Sequence, residues 1–86
     1  MHEMSLALEI CRITEAQVGR PVLPRVREVG ILVGDDAGVE PANLEFCLEA
    51  LLSQPPFDGA RVAMSLEPGD DLRVTYLEVD DDGPAN

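Results

Sequence analysis

Tryptophan and lysine are absent from this chain, and histidine and tyrosine occur once each. With Phe46, Phe57 and Tyr76 as the only aromatics, the core has to be built from aliphatic side chains. Basic charge is scarce as well. Six arginines face 17 acidic residues, for a formal net charge of -11. A field of that sign repels phosphate backbones and anionic membrane surfaces, so nucleic acid and membrane are poor partners. It suits a cationic ligand or a basic partner face, and it also serves plain solubility. Cys11 and Cys47 form no CxxC pair and lie in apolar segments, so neither a disulfide framework nor a zinc site is signalled. Both read as small buried hydrophobes of a reduced cytoplasm. No apolar run approaches the ~20 residues of a membrane span. Glu3 and the lack of a basic leading segment speak against a signal peptide.

What is present is one small domain of 86 residues, 45% of them hydrophobic. A chain of this size buries only about 60% of its unfolded surface, so its core is thin. From Met4 to about Val18 a helical stripe runs through Leu6, Ala7, Ile10, Ile13 and Gln17, widened by Met4, Leu8 and Cys11. Gly19 ends it, and Pro21 and Pro24 are expected to keep the linker extended. Over residues 26–34, Val29, Ile31 and Val33 alternate with Glu28, Gly30 and Leu32, the pattern of a strand. A Gly-Asp-Asp-Ala-Gly loop follows, and Pro41 suits the first position of a second helix reaching about Leu52. Leu44, Cys47, Leu48 and Leu51 are its apolar stripe.

Ser53 to Gly59 breaks the chain, and two alternating segments follow. Val62, Met64 and Leu66 mark the first; Leu72, Val74 and Tyr76 mark the second. The short Glu67-Pro68-Gly69-Asp70-Asp71 turn predicts that these two strands form a β-hairpin. The order is helix, strand, helix, strand, strand. It predicts an α+β two-layer sandwich: a three-stranded mixed sheet, with a parallel crossover through the second helix and both helices on one face. Residues 80–86 are expected to be a disordered acidic tail. The strand edges leave the pairing of two copies open as a homodimer.

The lone histidine, His2, stands next to the chain start. A free α-amine has a pKa near 8, so protons compete only moderately for it at neutral pH. The Met1 amine, the backbone nitrogens of His2 and Glu3 and the imidazole can close fused chelate rings around one ion. Four nitrogens in a plane suit Ni(II) or Cu(II), whereas Zn(II) prefers a tetrahedron. The arrangement needs Met1 to survive, and a bulky second residue hinders its removal. A short terminal motif is also compatible with an incidental, solvated histidine.

MHEMSLALEI, VREVGILVG, GVEPANLEF, FDGARV and GDDLRVTYLEV together resemble, in the same order, the HypA/HybF family of nickel metallochaperones. The resemblance covers residues 1 to about 79. It implies a nickel-binding domain over 1–79 and a role in the maturation of nickel-iron hydrogenase or, in some bacteria, urease. Nickel would be held through Met1, His2 and Glu3. Glu40 falls where the family often has an acidic residue, which makes it a further candidate ligand; a charge interacting with the dipole of the second helix is the other role open to it. A GTPase nickel chaperone and the hydrogenase large subunit are the partners so implied. The family carries two CxxC pairs between its last two strands, and this sequence has only the short turn there, so no zinc site is expected. A different reading keeps the fold and drops the delivery: an assembly factor or interaction subunit of a hydrogenase complex that carries no metal. An enzyme is not expected, because one terminal histidine and turn-borne aspartates supply no catalytic cluster.

Overall fold

The computed structural model describes residues 3–80. They form α1 (Glu3–Val18), a 3-10 helix (Arg20–Arg25), β1 (Val26–Gly34), α2 (Pro41–Leu52), β2 (Arg61–Glu67) and β3 (Leu72–Val79). The sheet order is β2-β1-β3, with β1 parallel to β2 and antiparallel to β3. The expected mixed three-stranded sheet with its α2 crossover is therefore present. Val29, Ile31 and Val33 project to the helix side and are fully buried against Ala7 and Ile10 of α1 and Leu44, Leu48 and Leu52 of α2.

Three details differ from the sequence reading. The two prolines do not hold the linker extended: residues 20–25 wind into a 3-10 helix that buries Leu23. The φ that proline fixes serves a 3-10 turn as well as an extended chain, and burial of a leucine decides between them. On α1 the buried line is Ala7, Ile10 and Thr14, while Ile13 is 37% exposed. Thr14 tolerates burial because its hydroxyl donates to the Ile10 carbonyl at 2.8 Å. Both cysteines are half-buried rather than buried, and burial pushes the Cys11 thiol up, away from the reactive thiolate.

The largest difference is that β2 and β3 do not pair as a hairpin. β1 lies between them. Once α2 has carried the chain back to lay β2 parallel to β1, the free side of β1 takes β3. Residues 68–71 then cross the end of β1, bridging two strand spacings of about 5 Å each with four residues that reach about 13 Å. The crossing is bonded to what it spans: the Gly34 and Asp36 N–H groups donate to the Asp71 and Gly69 carbonyls at 2.6 and 2.7 Å, and Asp35 N–H to the Glu67 carbonyl at 2.8 Å. The Asp35 carboxylate accepts from the Gly69 N–H at 3.0 Å.

A register shift between Gly30 and Ile31 skips Thr75 on β3. This bulge turns Leu77 and Val79 toward the helices and sends Tyr76, expected on the apolar face, to the open one. Asp80 is tied back by its N–H to the Arg25 carbonyl at 2.7 Å and by Arg27 at 3.3 Å. The rest of the expected tail, 81–86, lies outside the described residues.

Two glycines of β1 should respond differently to alanine. At Gly34 a Cβ would collide with the Gly69 backbone and lie 2.8 Å from the Asp71 nitrogen, with no flexible group to give way. At Gly30 its three nearest neighbours would be atoms of the Tyr76 ring, a side chain that can swing outward. Gly34→Ala is expected to cost about 1–3 kcal/mol and lower the thermal midpoint by several degrees, with Gly30→Ala costing less. Thermal unfolding followed by circular dichroism reads both.

Candidate functional site

Both helices begin at the end of the sheet where β1 finishes, α2 because the 35–40 loop returns directly from Gly34. Glu3 is the first residue of α1 and Glu40 is the N-cap of α2. A bond joins them: the Glu40 N–H donates to Glu3 Oε2 at 3.0 Å. Glu40 Oε1 in turn accepts from the Ala42 N–H at 3.2 Å, with Pro41 at the first helical position, where no N–H is needed. Glu40 thus caps α2 by a direct hydrogen bond, where the sequence reading offered only a charge interacting with the helix dipole. Both carboxylates sit at helix N-termini, Glu3 in the first turn of α1 and Glu40 at the cap of α2, where unpaired N–H groups need acceptors.

Of the four candidate ligand residues, Glu3 and Glu40 are brought together, while Met1 and His2 lie outside the described residues. Among the described residues no group of three or more His, Cys, Asp and Glu side chains is arranged to hold a metal. The chemistry available here is two carboxylates on residues joined by one backbone-to-side-chain bond, with His2 adjoining Glu3 in sequence. The aspartate pairs have structural roles: Asp35 staples the 68–71 crossing, and Asp71 accepts from Arg73 at 2.8 Å. Residues 68–71 are all that separates β2 from β3, where the resemblance puts the two CxxC pairs. No helix among the described residues is long and apolar enough to cross a membrane.

Residues 1–79 match the family described as hydrogenase/urease nickel incorporation, metallochaperone, hypA. The chain belongs to the HypA family. Hydrogenase maturation factor HypA of Geobacter sp. strain M21 is 41% identical over 69 residues, which is 77% of this chain and 57% of that protein. The Geobacter metallireducens protein of the same name is 38% identical over 69 residues, 80% of this chain and 60% of its own length. This chain therefore spans less than two thirds of the length of these HypA relatives. The solution structure of the Ni metallochaperone HypA from Helicobacter pylori superposes with a TM-score of 0.75 over 93% of this chain and 98% of that one. At 11% identity it speaks for a shared fold.

One cluster escaped the sequence reading. On the open face of the sheet the Tyr76 hydroxyl donates to Glu28 Oε2, Arg61 donates to Glu28 Oε1 at 3.2 Å, and Arg61 also lies 3.6 Å from Glu78. Tyr76 reaches Glu28 by lying flat over Gly30, its register partner. A glycine inside a strand was the available signal, since it marks a close approach. The bond with Tyr76, then Arg61, holds the Glu28 carboxyl below its usual range; the same bond, then desolvation, holds the Tyr76 phenol above its own.

The lowered Glu28 makes the bond's contribution present above the ordinary carboxyl range and lost as pH falls through the lowered value. The raised Tyr76 makes it present below the ordinary phenol range and lost as pH rises through the raised value. Tyr76 is the only tyrosine and tryptophan is absent, so ultraviolet difference absorbance reads its ionisation directly. We expect Tyr76 to ionise above the ordinary phenol range, and Glu28→Gln to bring it back down.

Proposed function

We propose that residues 1–79 form the nickel-binding domain of a cytoplasmic metallochaperone for nickel-iron hydrogenase maturation, with 80–86 an acidic tail. Ni(II) is its cargo, bound at the chain start and passed to a recipient. The Met1 amine, the His2 imidazole and the backbone nitrogens of His2 and Glu3 supply a plane of four nitrogens, the field that d⁸ Ni(II) favours. The observation that supports this reading best is the bond from Glu40 to Glu3, because it ties the origin of the first helix to the one loop carboxylate the family resemblance singles out. Glu40 then stands as a nearby anion for the dication rather than as one of the four nitrogens. A GTPase nickel chaperone and the hydrogenase large subunit are the partners proposed, and a site built at a chain start lets either reach the metal without unfolding the donor. The role is binding and transfer, not catalysis.

The competing reading, an assembly factor or interaction subunit that delivers no metal, draws on a specific observation too. Glu40 already caps α2, and Glu3 already accepts the Glu40 N–H, so both have structural duties. Titrating the untagged protein with Ni(II), with calorimetry and visible absorption read together, separates the two. The delivery reading expects one equivalent bound as a planar, diamagnetic complex, no saturable binding in His2→Ala, and weaker uptake as pH falls, since amine and imidazole must lose protons to bind. Glu40→Gln keeps an amide oxygen to cap α2 and should weaken binding only modestly. No saturable uptake by the unmodified protein would favour the subunit reading.

A further inference from the structure

The outer edges of β2 and β3 pair with nothing among the described residues. They are not alike. β3 has the devices that keep edges apart: a bulge at Thr75, and acidic Asp71 and Asp80 at its two ends. β2 has none. It runs in unbroken register with β1 from Arg61 to Glu67, and Leu66 is 63% exposed on the helix side near its end.

β2 also matches itself. Laid antiparallel on a second β2 about a two-fold axis at Met64, it sets Arg61 opposite the other copy's Glu67, Val62 opposite Leu66 and Ala63 opposite Ser65. Every pair shares a face: Val62, Met64 and Leu66 partner the buried Val29, Ile31 and Val33, while Arg61, Ala63, Ser65 and Glu67 partner Glu28, Gly30, Leu32 and Gly34. A slip of one residue would turn apolar side chains against polar ones. The segment carries one Arg and one Glu, hence no net charge, in a chain of net charge -11. The chains repel one another overall, and this edge adds no net charge of its own to that repulsion.

We propose that the β2 edge is a homodimer interface, joining two three-stranded sheets into one of six strands. Leu66 gains the apolar cover it lacks in the single chain, and two symmetry-related Arg61–Glu67 pairs fix the register. The interface uses none of Met1, His2, Glu3 or Glu40, so it stands or falls apart from nickel binding.

Sedimentation equilibrium of the untagged protein tests it. The wild-type chain should be a dimer. Leu66→Asp, at a position already open to water, should leave the circular dichroism spectrum of the fold in place and give a monomer. Glu67→Arg should weaken the dimer by roughly tenfold or more by setting like charges opposite each other, and R61E/E67R should restore it. A wild-type monomer, or a dimer indifferent to both Leu66→Asp and Glu67→Arg, would overturn the proposal.

Discussion

The whole arrangement depends on β1 lying between its two neighbours with one side fully buried. Val26, Val29, Ile31 and Val33 are sealed from solvent, and β1 alone provides ladder partners to both β2 and β3. Everything else follows from that central place. Both helices must cover the same side of the sheet. The return through α2 must lay β2 parallel, and the last connection must pass over the end of β1. Gly34 is the point where that passage leaves no room for a side chain.

This constraint also assembles the candidate site. α1 and α2 start at the same end of the sheet, and one backbone-to-carboxylate bond locks their origins together. A small aliphatic core thereby fixes where α1 begins, although neither Glu3 nor Glu40 belongs to the core. The capping of α2 by Glu40 holds its carboxylate at that spot, on the N–H of Ala42. The structural cap is thus the same group that is proposed to stand near the nickel ion.

Elements with a clean periodicity were legible in the sequence. The bounds of β1 and α2 matched, because alternation around Val29, Ile31 and Val33 and the start at Pro41 are local signals. What escaped was decided by tertiary contacts. The 68–71 turn has hairpin chemistry, yet its strands flank a third, since the partner of an edge is chosen by where a crossover lands rather than by turn residues. Tyr76 left its expected face because one bulge shifts the parity of β3. The 3-10 helix depended on burying Leu23, which two prolines do not announce. Of the candidate ligands, the nearness of Glu3 to Glu40, 37 positions apart, could come only from the fold. The proposed Met-His-Glu chelate needs no such long-range contact, because its donors lie on three consecutive residues.

The proposed nickel site requires a free amine at Met1 acting as a ligand beside His2. Acetylating that amine and repeating the calorimetric Ni(II) titration against the unblocked protein tests this most directly. The blocked chain should lose its high-affinity equivalent while its fold, read by circular dichroism, stays unchanged. Equal nickel uptake by the blocked and the free chain would contradict it.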